Sequence, residues 1–327
     1  MQAQEALPFD RRAIPDAARE SVWQAADGHA IRLLDWAEPD AGDSWVRGSI
    51  LFMPGRGDAY EKYLDTYEDW RRRGWRVSAA DWRGQAGSGR LGSDSTTGHI
   101  DDFDSWIADL AALWSEWARG REGPLVLAGH SMGGHLVLRT AGDGKLAPKP
   151  DALILSAPML AFLPEGVPWM LQRGLAGMMS TIGNPHRPAW KYSEKPGTTM
   201  SARQKLLTHD DDRYADEGWW KRQRPELVMG PGSWGWIRAA LDSIAVVDSP
   251  GYLEALDVPV FIVATSQDRL VGPQAIQRAH NRLPDSELLM LGEEARHEVL
   301  REVDPVRDRI LAAIDSFLDS KAPAQAK

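Results

Sequence analysis

The sequence predicts an α/β fold in which helices cover both faces of a mostly parallel sheet. Three features of the pattern support this prediction. An antiparallel hairpin is indicated near the N-terminus, short apolar runs then alternate with helical segments, and a mostly helical stretch interrupts the alternation once. Strands without polar alternation are typical of sheets that are buried on both faces, and such sheets are mainly parallel.

The hairpin comes first in the chain. Residues 21–26 and 29–36 alternate apolar and polar side chains on either side of Asp27-Gly28. An Asp-Gly pair readily adopts the positive φ angles of a two-residue turn whose twist matches that of the flanking strands. We therefore expect two antiparallel strands that are joined at this pair.

Six continuous apolar runs are predicted to form the other strands. They span residues 48–53, 75–80, 124–128, 152–156, 258–264 and 287–291. Helices are predicted between them, at residues 59–73, 101–119, 132–141 and 304–320. The first of these ends before Gly74, because glycine suits the position after a helix, and the last begins at Asp304 with Pro305 in its first turn.

The strand and helix rhythm breaks between Pro158 and Ser249 and then resumes. An all-helical insertion in an α/β protein indicates a cap over the C-terminal edge of the sheet, where such folds bind ligands. The sequence therefore divides into four parts. They are an N-terminal extension (1–20), an α/β core (21–157 and 250–321), a helical cap (158–249) and a tail (322–327).

Composition excludes several classes of function. The 327 residues include 47 acidic and 38 basic side chains, a net charge of −9, which argues against nucleic acid or an anionic surface as an electrostatic partner. The chain has no cysteine, which excludes disulfides, thiol catalysis and metal–thiolate sites. No metal or other cofactor is implied. With no apolar leader and no membrane-length apolar run, we expect a cytoplasmic protein.

A candidate nucleophile lies in Gly129-His130-Ser131-Met132-Gly133, between a predicted strand and a predicted helix. A serine on so sharp a turn needs small neighbours, and it projects above the sheet with the helix N-terminus behind it. The alternative is a glycine-rich turn with an incidental serine. The context of strand, turn and helix favours a nucleophile.

A serine nucleophile needs a base and a group that orients the base. His297 follows the last predicted strand and Asp268 follows the one before it, so both belong at the sheet edge that carries Ser131. We expect His297 to be the base and Asp268 the acid. Other candidates are expected to be structural, misplaced or solvated: His99, His130 and His280 for the base, and Asp257, Glu293 and Glu294 for the acid.

Acyl transfer also needs two donors that stabilise the oxyanion. The amide after the nucleophile, here that of Met132, usually supplies one donor. The second is expected from the loop Pro54-Gly55-Arg56-Gly57-Asp58, which follows the first parallel strand. Its glycines allow the backbone to approach a substrate, and the Arg56 amide is the predicted donor.

At these residues the sequence resembles the monoacylglycerol lipase and lysophospholipase group of α/β-hydrolases, which is similar to serine aminopeptidases. The likeness runs from about residue 21 to 318. It includes Asp58 with Lys62-Tyr63, and Asp81-Trp82-Arg83-Gly84-Gln85. It departs from the family at Pro54, where the family has histidine, and at Gln85-Ala86. The resemblance implies an α/β-hydrolase fold, the order Ser131, Asp268, His297, and a helical lid over an acyl-binding pocket.

The cap is rich in methionine and tryptophan, at positions 159, 170, 178, 179, 200 and 229 and at 169, 190, 219, 220, 234 and 236. Such side chains suit the wall of an acyl pocket or a lid face that meets lipid, but they also suit the core of a small helical cap. The predicted substrate contacts are Trp169, Met170, Met178 and Trp234. Transient contact of the cap with a membrane surface is part of this prediction.

The sequence therefore predicts a serine-dependent hydrolase of lipid-like esters, such as monoacylglycerols or lysophospholipids. One alternative keeps the same three residues but cleaves amides, as an amidase or aminopeptidase in which Asp210-Asp211-Asp212 captures a free amine. Another alternative is a hydrolase-fold binding protein without activity. The sequence leaves the oligomeric state open.

Overall fold

The computed structural model describes residues 9–36, 46–165, 167–190 and 203–324. Within them the strands are β1 (Arg19–Gln24), β2 (Ala30–Trp36), β3 (Gly48–Met53), β4 (Trp75–Ala80), β5 (Leu125–His130), β6 (Ala152–Ser156), β7 (Val260–Thr265) and β8 (Ser286–Leu291). The α-helices are α1 (Leu64–Arg72), α2 (Asp104–Trp117), α3 (Met132–Gly142), α4 (Trp169–Thr181), α5 (Gln204–Leu207), α6 (Asp211–Gln223), α7 (Trp234–Asp248), α8 (Pro273–Arg282) and α9 (Asp304–Lys321). Short 3-10 helices span Tyr60–Tyr63, Pro225–Leu227 and Val299–Arg301.

The described strands form one sheet in the order β1-β2-β4-β3-β5-β6-β7-β8. β2 runs antiparallel to both β1 and β4, whereas the other neighbouring pairs are parallel. Gly28 has the predicted positive φ, +82°, in the turn between β1 and β2, but Asp27 does not have a positive φ. Residues 25–29 separate the two strands, so the connection is longer than the predicted two-residue turn. The predicted mostly parallel sheet with an antiparallel N-terminal pair is therefore confirmed.

Helices cover both faces of this sheet. Trp106 of α2 and Leu136 of α3 belong to the buried core on one face, whereas Trp70 of α1 and Ile314 of α9 belong to the core on the other. Burying each such side chain is worth about 1.5–3 kcal/mol. Both cores therefore contribute to the stability of the sheet.

Strand β3 explains why the apolar runs are continuous. Ile50 and Phe52 point into one core, and Leu51 and Met53 point into the other. Successive side chains of a strand face opposite sides of a sheet. A strand that is covered on both sides therefore needs an apolar residue at every position, as the sequence pattern indicates.

The segment between β6 and β7 contains α4 to α7. Helix α7 packs on the core, where Ala240 is fully buried and Ser243 lies 2.7 Å from Nε2 of His135 in α3. Trp220 of α6 is buried in the opposite core, and its indole donates a 2.9 Å hydrogen bond to the carbonyl of Arg11. Two of these helices are thus integrated with the rest of the chain. The division of the chain at residues 158 and 249 stays a prediction, and Met200 lies outside the described residues.

Helix α4 differs from them, because it buries only Ala176 and Ser180 and packs on α7. Met170 is 76% exposed and Leu171 66% exposed, and other large apolar side chains nearby are also exposed: Leu163, Val167, Trp169, Leu175, Met178, Ile182 and Trp190. No helix in the described parts of the chain is long and apolar enough to cross a membrane. The predicted cytoplasmic location and contact with a membrane surface stay predictions.

Candidate active site

Ser131 occupies a strained turn between β5 and α3, with a φ of +53° and a ψ of −117°. Residues other than glycine rarely adopt this backbone conformation. The turn also packs closely, because a Cβ on Gly133 would lie 2.3 Å from the carbonyl oxygens of Met53 and Pro54, and a Cβ on Gly129 would lie 2.7 Å from Gly133. Glycine is therefore required on both sides of Ser131.

His297 lies beside this serine. It follows β8, is 4% exposed, and its Nε2 is 2.9 Å from Oγ of Ser131. An imidazole that is protonated on Nδ1 accepts at Nε2, so it can accept the proton of the serine hydroxyl. The distance is within the reach that general-base catalysis requires.

Asp268 fixes the orientation of that imidazole. The residue follows β7, and its Oδ2 accepts a 2.7 Å hydrogen bond from Nδ1 of His297. Its other oxygen accepts from the amides of Leu270 at 2.8 Å and Val271 at 3.1 Å. Both carboxylate oxygens are therefore held, and the serine, histidine and aspartate form one continuous chain of hydrogen bonds.

Burial and charge act in opposite directions on the pKa values of this chain. Burial favours a low pKa for His297, but the charge of Asp268 and its hydrogen bond outweigh this, and the pKa of His297 is raised above its ordinary value. Burial would raise the pKa of Asp268, but the contacts with His297 lower it overall. The contacts with Asp268 therefore favour the protonated form of His297.

The other histidines that the sequence offered have different partners. His130 lies with Nδ1 3.2 Å from Oγ of Ser156, and burial together with the charge of His297 lowers its pKa to about 4. Nδ1 of His99 lies 2.7 Å from Oγ of Ser233, and Nδ1 of His280 lies 2.8 Å from Oγ of Ser286. Asp257, on the surface, pairs with Lys149.

The loop from Pro54 to Asp58 contacts Ser131. A Cβ on Gly55 would lie 3.2 Å from Cβ of Ser131, so the loop backbone passes directly over the serine. Neither the Arg56 amide nor the Met132 amide donates a hydrogen bond within the part of the chain that the structure describes. Their role as oxyanion donors stays a prediction.

Two residues from the segment after β4 support this loop. The indole of Trp82 donates a 2.8 Å hydrogen bond to the carbonyl of Pro54, and the side-chain oxygen of Gln85 accepts a 2.8 Å bond from the amide of Gly57. Sequence reasoning missed these roles. The only feature of the sequence that pointed to these residues was the resemblance of residues 81–88 to a family motif. Pro54 and Gln85, the positions where the sequence departs from the family, both take part in these contacts.

A buried lysine joins three segments around the site. Nζ of Lys62 lies 2.8 Å from Asp58, 2.7 Å from Glu298 and 3.3 Å from Glu217. Burial favours a lower pKa for Lys62, but these carboxylates outweigh it and raise the pKa, so the lysine stays charged. Arg301 also pairs with Glu298. The loop from Pro54 to Asp58, the segment after β8 that carries Glu298, and α6 are thus linked by charge, which spacing along the sequence did not reveal.

A cavity of about 600 Å³ opens in front of Ser131 and His297. Its apolar lining includes Met159, Phe162, Leu175, Ile237, Leu241 and Val271, and its tryptophans are Trp190 and Trp236. Of the predicted substrate contacts, Trp169 lines a neighbouring cavity of about 460 Å³, Met170 and Met178 are exposed on α4, and Trp234 begins α7. None of the four lines the main cavity, so their role as substrate contacts stays a prediction.

Several known proteins are similar to this chain in sequence. The family described as serine aminopeptidase, S33 matches residues 44–304. Lysophospholipase L2 of Escherichia coli (strain K12) is 26% identical over 287 residues, which cover 83% of this chain and 80% of that protein. Phospholipase YtpA of Bacillus subtilis (strain 168) is 25% identical over 273 residues, which cover 83% of this chain and 94% of that protein.

A solved structure has the same fold. A soluble variant of monoglyceride lipase from Saccharomyces cerevisiae, in complex with a substrate analog, superposes with a TM-score of 0.75. The match covers 97% of this chain and 99% of that one, at 21% sequence identity. The similarity confirms the architecture that the strand order and the two helical layers define.

Proposed function

The chain belongs to the serine aminopeptidase S33 family of hydrolases and has the α/β-hydrolase fold, and from that premise we propose that it hydrolyses lipid-like carboxylic esters through an acyl-enzyme on Ser131. Monoacylglycerols and lysophospholipids are the proposed substrates. The chain of hydrogen bonds from Ser131 through His297 to Asp268, at 2.9 and 2.7 Å, carries this proposal.

In the first half of the reaction, Oγ of Ser131 attacks the acyl carbonyl carbon while its proton passes to Nε2 of His297. The tetrahedral intermediate then collapses, the ester C–O bond breaks, and His297 returns the proton to the departing alcohol. Water attacks the acyl-serine in the second half, again giving a proton to His297. The fatty acid leaves and Ser131 recovers its hydroxyl.

The amides of Met132 and Arg56 are the proposed oxyanion hole. The absence of a hydrogen-bond partner for either amide among the described residues and the close approach of Gly55 to Ser131 support this assignment. Donors that are fixed in advance stabilise the developing negative charge without having to reorganise. Trp82 and Gln85, through Pro54 and Gly57, hold the loop in position.

The lining of the cavity supports a lipid substrate. Its apolar side chains can bury an acyl chain, and each buried CH₂ is worth about 0.8 kcal/mol. Phe162, Gln172 and Leu241 border both the main cavity and its neighbour. An acyl chain that passes between these three residues would reach the second cavity.

Contact with lipid through α4 is a further part of the proposal. Met170, Leu171 and Ile182 are 76%, 66% and 65% exposed. A contiguous exposed apolar face is typical of a surface that binds a membrane or another apolar partner. Because Leu175 of the same helix lines the main cavity, a lipid surface at α4 would present substrate close to Ser131.

The aminopeptidase alternative has less support. Asp210 and Asp211 lie at the start of α6, where they contact Arg213 and Gln204, and neither lines the main cavity. The acids that do line it, Asp58 and Glu298, are both paired with Lys62. A free carboxylate for a substrate amine is therefore missing among the described residues of the cavity wall.

A fluorophosphonate probe tests the proposed function. We expect it to label wild-type protein and not Ser131→Ala, while Ser266→Ala, which changes an exposed serine outside the hydrogen-bonded chain, is labelled normally. The two variants are then compared on p-nitrophenyl esters and on amino-acyl amides. Equal labelling of Ser131→Ala would refute the proposal, and turnover of amides but not of esters would favour the aminopeptidase.

A further inference from the structure

The guanidinium of Arg56 lies in the cavity with Ser131 and is only partly satisfied. One Nη donates a 2.8 Å hydrogen bond to the carbonyl of Gly230. Nε is buried and has no hydrogen-bond partner, and no described carboxylate forms an ion pair with this side chain. The rings of Trp190 and Trp236 flank the guanidinium, with their centroids 5.1 and 5.0 Å from Cζ.

The charges around Arg56 do not neutralise it. Burial, together with the nearby charge of Arg203, lowers the pKa of Arg56 to about 10, so the guanidinium remains charged near neutral pH. Arg203 also lines the cavity and is 2.9 Å from Glu217. The lining acids, Asp58 and Glu298, are engaged by Lys62.

Arg56 is partly buried and lacks a counter-charge among the described residues, so it carries a desolvation cost that an entering anion would relieve. Arginine is also the side chain whose planar fork matches the oxygens of a phosphate. The two indoles restrain the guanidinium, so little conformational entropy is lost when it binds. The site therefore fits an anionic group better than a neutral one.

The position of Arg56 indicates which part of a substrate this anion belongs to. The amide of Arg56 is the proposed oxyanion donor, so its side chain starts beside the reacting ester and extends into the same cavity. A lysophospholipid carries its phosphate only a few bonds from its ester, where a monoacylglycerol has a hydroxyl group. We propose that the Arg56 guanidinium binds the phosphate of a lysophospholipid and thereby selects it over monoacylglycerol. This inference rests on the proposed function.

The test compares two substrates that share one acyl chain, a lysophosphatidylcholine and a monoacylglycerol, both below their critical micelle concentrations. The ratio of their kcat/KM values is measured for wild type and for Arg56→Gln. Using the ratio cancels any effect of the substitution on the oxyanion loop. We expect the ratio to fall by at least about 30-fold in Arg56→Gln. Arg56→Lys keeps the positive charge but loses the planar guanidinium, so its ratio of kcat/KM values should lie between those of wild type and Arg56→Gln.

Arg269→Gln is the matched control, because Arg269 lines the same cavity but is exposed. Its ratio should change by less than about threefold. An equal fall in this variant would show that general positive charge selects the substrate, and would overturn the role of Arg56. If a fluorophosphonate does not label Arg56→Gln, the ratio of kcat/KM values is measured in Arg56→Lys instead. A ratio in Arg56→Lys equal to that of wild type would then contradict the inference.

The test also separates this inference from the proposed function. Wild-type protein that hydrolyses both lipids, with a ratio that Arg56→Gln leaves unchanged, refutes phosphate recognition and leaves the esterase proposal standing. Wild-type protein that hydrolyses neither lipid refutes both.

Discussion

The turn around Ser131 and the surface of α4 are built in opposite ways. At the turn, Ser131, His297 and Asp268 are hydrogen-bonded to one another, and Gly133 has no room for a side chain. On α4, Met170 is 76% exposed and a Cβ on Gly174 would meet nothing within 4 Å. The chemistry therefore depends on contacts that tolerate little change, whereas the surface proposed to meet lipid has space and unpartnered apolar area.

The largest effect is expected at Asp268. Asp268→Asn should lower kcat by about 10⁴-fold, because the imidazole loses the group that orients it and stabilises its charge. Neutral His297 is the active form, so wild-type activity falls as the pH drops through its pKa, which Asp268 raises. In Asp268→Asn, burial is no longer offset by the charge of Asp268 and lowers the pKa of His297. The fall in activity on the acidic side of the pH profile should therefore move to lower pH. Fluorophosphonate labelling rates from about pH 5 to about pH 9 measure the shift, and an unmoved limb would contradict the account.

A pair of glycine substitutions tests the contrast in packing. Gly133→Ala should lower the free energy of unfolding by about 2–3 kcal/mol, because its Cβ would overlap two carbonyl oxygens, and should lower kcat about 100-fold by displacing the oxyanion loop. Gly174→Ala in α4 should instead raise the free energy of unfolding by about 0.5–1 kcal/mol. Urea unfolding checks both, and equal effects of the two would erase the distinction.

A smaller effect is expected at Gln85. Gln85→Leu leaves the amide of Gly57 without its acceptor and should lower kcat about tenfold. Gln85→Glu keeps an acceptor at this position and should retain more activity. Steady-state kinetics on a p-nitrophenyl ester separates the two. Equal activity of both variants and wild type would mean that the loop holds its shape without this bond.

The smallest effect is expected on α4. Met170→Glu should weaken binding to phosphatidylcholine vesicles and lower the hydrolysis of vesicle-bound substrate by about three- to tenfold, because it places a charge on the proposed lipid face. Hydrolysis of a short water-soluble ester should not change. Val22→Glu, at another exposed apolar residue, is the control. Vesicle sedimentation and activity are measured together, and equal losses for both variants would argue against a lipid-binding face.

Most of the sheet could be predicted because burial leaves a direct mark on the sequence. The predicted bounds of β3, β4 and β6 agree with the structure, since strands between two helical layers need an unbroken apolar run. The predicted strand at 124–128 stops short of β5, which continues to His130. Gly129 and His130 were predicted to belong to the turn before Ser131, but their backbone still pairs with β6.

The segment between β6 and β7 was harder to predict, because the periodicity of apolar residues shows which positions share a helix face but not what covers that face. Met170 and Leu171 of α4, and Ile182 directly after it, are exposed. Composition likewise gives the number of tryptophans and not their places, so Trp190 and Trp236 in the cavity wall could not be distinguished from Trp169 and Trp234. The hydrogen bonds that Trp82 and Gln85 make to the loop from Pro54 to Asp58 join segments far apart in the sequence, so a local pattern could not predict them.

The central claim is that Ser131 carries the acyl group during turnover. Rapid acid quenching of the protein with a slowly hydrolysed p-nitrophenyl ester, followed by intact-mass and peptide mass spectrometry, tests it directly. We expect a burst of p-nitrophenol and one acyl adduct on Ser131, and no adduct in Ser131→Ala. Turnover without an adduct, or an adduct on another residue, would contradict it.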